Sequence, residues 1–126
     1  MKDEVYRKKL LDAWEGTYKK GQLTLWLFLA LRDRPRYVAE LKDFIEQATR
    51  GSITVEEQSL YRSLRKYRDL EMVDFDLRDG ERGPERKYYR LTKLGDEILS
   101  DFVERNIALF YDDRLRQLIQ NGGNKT

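Results

Sequence analysis

Apolar and polar positions alternate along this chain with periods that divide it into seven elements. Tyr6, Leu10, Trp14 and Tyr18 recur at four-residue steps, with Leu11 beside them, so residues 4–20 predict a helix with one apolar side. Gly21 separates it from Gln22–Leu31, where Leu23, Leu25, Trp26, Leu27, Phe28, Leu29 and Leu31 leave almost no polar face. A helix apolar all round is expected at the centre of the fold. Asp33-Arg34-Pro35 closes it, and Pro35 suits the first turn of the next helix. That helix places Tyr37, Leu41, Phe44, Ile45 and Ala48 on one side and ends near Gly51. From Thr54 the period is again helical, with Leu60, Leu64, Tyr67 and Leu70 on one face. Thr54 followed by Glu57 reads as a capping box for this helix.

After Leu70 the period changes from about 3.6 to 2. Val73, Phe75 and Leu77 alternate with Asp74, Asp76 and Arg78, the pattern of a strand with one apolar face. Tyr88, Tyr89 and Leu91 supply β-formers for a return strand, with one of the two tyrosines in the core. Asp79-Gly80-Glu81-Arg82-Gly83-Pro84-Glu85 between them provides a hairpin loop. Thr92 then caps a final helical pattern that runs from Lys93 to about Gln120, about 40 Å of helix at 1.5 Å per residue. Such a rod outruns a small domain. Its apolar positions Phe102, Phe110, Leu115, Leu118 and Ile119 therefore predict a partner surface, most simply a second copy in a two-fold homodimer. Residues 121–126 read as a frayed tail.

Helices followed by a helix–hairpin pair make a fold that is mainly α (α+β). It is a winged helix-turn-helix with an accessory N-terminal helix (1–20), a DNA-binding domain (21–92) and a long C-terminal dimerisation helix (93–120). In this plan the helix before the hairpin enters the major groove and the hairpin lies over the neighbouring backbone or minor groove. The face opposite Leu60 and Leu64 presents Glu57, Gln58, Tyr61, Arg62, Arg65, Lys66 and Asp69. Gln58, Ser59 and Arg62 are the candidates for base or near-base contact, because Gln pairs with adenine and Arg with guanine. Arg65 and Lys66 are candidates for phosphates, and Arg82, Arg86 and Lys87 for the groove under the wing.

Composition changes this picture only locally. The 126 residues are enough for one domain, and 38% of them are charged, yet net charge is only +2. Its distribution is more telling, since residues 60–93 carry ten basic against seven acidic residues and residues 94–126 four against six. The chain has no Cys and no His, which excludes disulfides, Cys/His zinc sites and thiol or imidazole catalysis. No metal or cofactor is expected. The longest apolar block, Leu25 to Leu31, is far short of the roughly 18 residues of a membrane span, so a cytoplasmic protein is expected.

The run Gly83-Pro84-Glu85-Arg86-Lys87-Tyr88-Tyr89-Arg90-Leu91-Thr92-Lys93-Leu94-Gly95, with Ser59-Leu60-Tyr61-Arg62-Ser63-Leu64 upstream, closely resembles PadR-type transcriptional regulators. The resemblance covers roughly Gly21 to Leu99. It implies that Tyr37 donates a hydrogen bond to a phosphate and that Tyr61 belongs to the family's Leu-Tyr pair in the reading helix. It also implies that the last helix dimerises. Arg36 stands where the family usually has Gly before the tyrosine, and Arg62 where Pro is common. The resemblance further implies a repressor acting on a palindromic operator, released by a small apolar or aromatic effector. Trp14, Trp26, Phe102, Phe110 and Tyr111 are candidates to line the effector site.

Two other functions fit the chain less well. A winged helix that only joins protein assemblies lacks the salt dependence of a DNA reader, whose affinity falls with a log–log slope of about −0.9 per phosphate contact. An enzyme is not expected. Glu56-Glu57 and Asp112-Asp113 are adjacent pairs that point apart on a helix, and no glycine-rich phosphate loop is present.

Overall fold

A computed structural model describes residues 2–80 and 83–121. The elements run α1 (Lys2–Tyr18), α2 (Gln22–Asp33), α3 (Val38–Ala48), α4 (Glu57–Asp69), β1 (Val73–Gly80), β2 (Gly83–Leu91), α5 (Lys93–Asn106), a 3-10 turn (Ala108–Tyr111) and α6 (Asp113–Gln120). β1 and β2 pair antiparallel, with Phe75 opposite Tyr89 and Leu77 opposite Lys87. Arg36 adds a one-residue bridge on the far edge of β2, its N–H donating to the Tyr89 carbonyl at 3.0 Å and its carbonyl accepting from the Tyr89 N–H at 2.8 Å. Among the described residues this makes a winged helix with an extra helix at either end.

The apolar α2 is central, as its pattern predicts. Leu27, Phe28, Ala30 and Leu31 are buried on it, against Val38, Leu41 and Ile45 of α3, Leu60 and Leu64 of α4, Val73 and Tyr89 of the hairpin, and Leu99 of α5. Of the two adjacent tyrosines, Tyr89 is the one in this core. Arg32 staples α2 to α5, donating to the Asp96 carboxylate at 2.7 Å, the Asp96 carbonyl at 2.8 Å and Ser100 Oγ at 2.7 Å. Gly95 allows α5 to approach the turn before β1. A Cβ there would sit 2.0 Å from the Met72 carbonyl oxygen.

Several local expectations change. Pro35 does not open α3. It precedes the Arg36 bridge, and the helix starts at Val38 with Tyr37 as N-cap, because the Arg36 backbone is taken by the sheet. Thr54 does not cap α4 either. The N-cap is Glu56 in an extended conformation, two residues later than the capping box requires. Leu70 leaves the buried stripe and is 53% exposed, since α4 ends at Asp69 and the chain turns through Glu71 at φ 63°. Leu77 lies on the apolar face of β1, yet it too is exposed, because the hairpin extends past the core that would cover it. The strands are longer than expected, and pairing reaches Gly80 and Gly83.

The largest change is at the C-terminus. The expected rod from Lys93 to Gln120 is broken after Asn106. The Asp112 carboxylate accepts from the N–H groups of Arg114 and Leu115, at 3.1 and 3.3 Å, and starts α6 as a separate helix. Asp112-Asp113 was expected inside a helix. It is instead a helix start, with Asp113 in the first turn where acidic residues are favoured. Phe102, Phe110, Leu115, Leu118 and Ile119 are all exposed in the isolated chain. So is α1, whose side chains from Asp3 to Tyr18 are all solvent-facing apart from a half-buried Glu15. Of the tail at 121–126, residues 122–126 lie outside the described residues.

Candidate nucleic-acid interface

Leu60 and Leu64 anchor α4 and so determine where its other side chains point. At 100° per residue the ridge opposite them carries Gln58, Arg62, Arg65 and Asp69, all exposed. Tyr61 and Arg65 flank the wing and line the cleft between α4 and β2 together with Lys87 and Phe75. Ser59 and Lys66 are on the other flank. Ser59 is half-buried beside Ile53 and Val55, and Lys66 sits 5.3 Å from the Tyr67 ring at the edge of an apolar groove. Of the residues singled out on this helix, Gln58, Arg62 and Arg65 lie on the outward ridge, Tyr61 and Arg65 face the wing, and exposed Lys66 and half-buried Ser59 lie toward the flank away from it.

The wing is held to α4 at its base. The Asp74 carboxylate accepts from the Phe75 N–H at 2.8 Å and from Arg68 Nε at 3.3 Å. The Phe75 N–H, then Arg68 and Arg90, hold the Asp74 carboxyl below its ordinary value of 3.8, against the opposing effect of burial. Arg90 bridges Asp74 and Asp76, at 3.8 and 3.1 Å. The Arg68 guanidinium also lies 4.4 Å from the Phe75 ring, and the Lys87 ammonium 4.8 Å from the same ring. Burial pushes the Tyr89 phenol above its usual value. The ion pairs of this stretch run Arg68–Asp74, Arg90–Asp74 and Arg90–Asp76, and they leave Arg62 and Arg65 out.

The outer face of the wing is an aromatic–guanidinium stack. Arg78 lies 4.4 Å from the Tyr88 ring, Tyr88 meets Tyr37 edge-on at 5.4 Å, and Arg86 lies 4.4 Å from the Tyr37 ring. Each such contact is worth about 0.5–1 kcal/mol at an exposed site. The stack ties the start of α3 to the wing and restricts the guanidinium of Arg86 before any ligand arrives. Between α3, α4 and β2 it borders a cleft of ≈ 380 Å³ lined by Tyr37, Ala39, Tyr61, Arg86 and Lys87, with the carboxylates of Glu57 and Glu85. Arg82 lies outside the described residues.

Sequence reasoning missed two residues here. Arg78 was read only as part of the charged strand face, although alternation places it beside Tyr88. Arg36 was read only as a departure from a family pattern. It is 7% exposed, donates to the Asp33 carboxylate at 2.8 Å and to the Ala30 carbonyl, and stacks on Phe44 at 4.5 Å. The Asp-x-x-Arg spacing of Asp33 and Arg36 is the signal that could have found it.

The proposed effector residues are scattered in the isolated chain. Trp14 is on exposed α1, Trp26 is half-buried on α2, and Phe110 and Tyr111 are exposed on the 3-10 turn. Only Phe102 borders the apolar groove, ≈ 500 Å³, between α2, α4 and α5. Among the described residues no group of three or more His, Cys, Asp or Glu side chains could hold a metal ion, and no helix is long and apolar enough to cross a membrane.

The profile of the transcriptional regulator PadR-like family matches residues 27–101, more than half of the chain. The chain belongs to the PadR-like family of transcriptional regulators. A PadR-like transcriptional regulator from Bacillus cereus is 25% identical and superposes with a TM-score of 0.64, covering 82% of this chain and 96% of that one. A PadR-family regulator from Eggerthella lenta is 23% identical with a TM-score of 0.66, and its structure covers 94% of this chain and 99% of its own. PadR of Bacillus subtilis in complex with operator DNA is 20% identical with a TM-score of 0.59, covering 64% of this chain and 46% of that one. The family is one of transcriptional regulators, not enzymes. In this PadR-like chain the matched stretch includes all of α3, α4, β1 and β2, the elements that build the surface described above.

Proposed function

We propose that this PadR-like chain binds duplex DNA as a homodimer on a palindromic operator and acts as a repressor. The observation that carries the reading is the α4 ridge of Gln58, Arg62 and Arg65, turned away from the core beside a wing whose own cations are already oriented. Gln58 and Arg62 lie in the first half of α4, the part of a recognition helix that reaches base edges. Arg65 and Lys87 border the cleft along the wing, where a phosphate backbone would run, with Tyr61 between them. Tyr37, Arg86 and the N-terminal turn of α3 line the adjoining cleft, which shares Tyr61, Lys87 and Tyr89 with the first. PadR of Bacillus subtilis, a neighbour of the same fold, is bound to operator DNA, which supports DNA as the ligand.

Two copies would set their recognition helices about 34–36 Å apart, one turn of the duplex. Phe102, Phe110, Leu115, Leu118 and Ile119 are the surface proposed to join them. The groove bordered by Phe102 would admit a small apolar effector. Leu25, Phe28, Met72 and Ile98 offer apolar walls, and Tyr67 and Thr24, whose hydroxyls are 3.1 Å apart, offer polar contacts. An effector that binds one dimer geometry better than another shifts the population away from the operator-bound form.

Selection of bound duplexes from a random pool tests the reading. A two-fold symmetric motif is expected, with affinity that falls about 0.9 log units per log unit of salt for each phosphate contacted. Recovery of no motif, together with salt-insensitive binding, would leave a protein-interaction module in its place.

A further inference from the structure

Two adjacent glutamates open α4 and border different clefts. Glu56 is the N-cap and lies on the flank away from the wing, with Lys19, Ser52 and Thr54. Glu57 is in the first turn and lines the cleft between α3, α4 and β2, with Tyr37, Tyr61 and Arg86. It is exposed and, among the described residues, takes part in no ion pair. Asp74 and Asp76 differ in this respect, since Arg68 and Arg90 hold them at the wing base. An open carboxylate on a surface that meets duplex DNA is repelled by the phosphates, so only a donor on a base edge makes its position favourable. In the major groove those donors are the amino groups of cytosine and adenine. Adenine sets its amino group beside the N7 acceptor, which repels a carboxylate, and guanine and thymine present acceptors at O6, N7 or O4. Cytosine offers a donor with no acceptor beside it. We infer that Glu57 determines specificity, its carboxylate accepting from the N4 amino group of a cytosine and excluding guanine and thymine from that position. The inference deepens the proposed DNA reading and rests on it.

Helix geometry places this base relative to the others. Glu57 and Tyr61 form one row at a four-residue step, and Gln58 and Arg62 form the next, about 100° further round the axis. The first row borders the wing cleft and the second faces outward. Residues in the N-terminal half of a recognition helix reach base edges, and Glu57 stands at its very start. The base pair it addresses therefore lies on the wing side of those under Gln58 and Arg62. Arg86, across the same cleft and held 4.4 Å from the Tyr37 ring, supplies the positive charge that a neighbouring phosphate requires. Glu85 borders this cleft too, but from the wing, which lies over the backbone or minor groove, where the cytosine amino group is out of reach.

The test compares the motifs that the full-length chain, Glu57→Ala and Glu57→Gln each select from the same random duplex pool. The parent chain is expected to fix a cytosine in each half of a two-fold motif. Glu57→Ala should recover the same motif with that column degenerate. Glu57→Gln should recover it with adenine there, because Gln pairs with both N6 and N7 of adenine. On the parent motif, exchanging that C·G pair for T·A should weaken the parent chain by roughly 5- to 150-fold and Glu57→Ala by less than about twofold. An acidic residue in the first turn also favours the positive end of a helix. If that is the whole role of Glu57, all three chains will select one motif with the same columns fixed, which overturns the inference and leaves the DNA reading standing. A parent motif with no fixed cytosine overturns it equally. A parent chain that selects no motif at all sinks the DNA reading and the inference together.

Discussion

Arg62 and Arg68 occupy the same helix and have opposite surroundings, so the pair separates reading from scaffolding. The Arg62 side chain is exposed, points away from Leu60 and Leu64, and takes no part in the ion pairs around the wing. Truncating it removes no bond to another described residue, and an exposed helical Arg→Ala change shifts stability by no more than about 0.5 kcal/mol. If Arg62 pairs with a guanine, Arg62→Ala costs about 1–3 kcal/mol on the selected operator, roughly 5- to 150-fold in affinity. The loss should be confined to duplexes that keep that base pair. Arg68 is half-exposed, bonded to Asp74 at 3.3 Å and stacked on Phe75 at 4.4 Å. Its surface ion pair and cation–π contact are together worth about 1 kcal/mol of folding stability after solvent screening. Arg68→Ala should therefore lower the urea midpoint and change specificity little. Fluorescence anisotropy on the selected and a shuffled duplex, beside urea unfolding of both variants, measures all four quantities. Equal weakening of Arg62→Ala on both duplexes would reduce Arg62 to a phosphate contact. An affinity within twofold of the parent would remove it from the interface.

Four further outcomes are expected. Arg36→Ala should cost about 2–3 kcal/mol through lost packing and the lost Phe44 stack, but Arg36→Met under about 1 kcal/mol, because Asp33 is solvated and the Ala30 carbonyl also accepts from the Arg34 N–H; equal melting temperatures for the two variants would refute this division. Gly95→Ala forces a Cβ against the Met72 carbonyl and should cost at least about 3 kcal/mol, read by thermal unfolding; a loss below 1 kcal/mol would show that α5 shifts freely. The Asp74 carboxyl is held low in the fold, so its contribution to the wing base is present above its unfolded value of 3.8 and lost as pH falls through the lowered one; Asp74→Asn should remove that acid limb from a hydrogen-exchange profile of β1. Phe110→Asp with Ile119→Asp should give monomers in sedimentation, and an intact dimer would move the interface off the C-terminal elements.

Periodicity made most of this fold legible. The uninterrupted apolar run of α2 indicated a central helix, and the change of period after Leu70 located the hairpin. The misses share a cause. Thr54, Pro35 and Asp112 were assigned by local rules that tertiary contacts or a stronger competing rule override. The Arg36 backbone is taken by β2, so α3 starts late. Asp112 and Asp113 satisfy a helix start better than a helix interior, so the rod breaks. Leu77 shows the limit of alternation, which reports the face of a strand but not how far the core extends along it. On α4 the helical wheel separated inside from outside correctly. It gave no means to tell which outer flank meets the wing, and so did not separate Tyr61 and Arg65, beside the wing, from Ser59 and Lys66 on the other flank.

Counting charges undervalues the interface, and the ion pairs explain why. Ten basic against seven acidic residues over 60–93 is a slender excess. Yet Asp74 and Asp76 are consumed at the wing base by Arg68 and Arg90, and their charges cancel there, behind the cleft. Arg62 and Arg65 remain on the ridge of α4, unopposed by those carboxylates. Arg78 and Arg86 keep their charge while resting on tyrosine faces, which neutralise nothing. Opposite charges that pair in place thus sort a nearly neutral stretch into a locked hinge and a front in which Arg62, Arg65, Arg78, Arg86 and Lys87 outnumber the carboxylates of Glu57, Asp69 and Glu85. A front arranged before binding loses less side-chain freedom when phosphate arrives, and that saving is the expected source of affinity in a chain whose net charge is only +2.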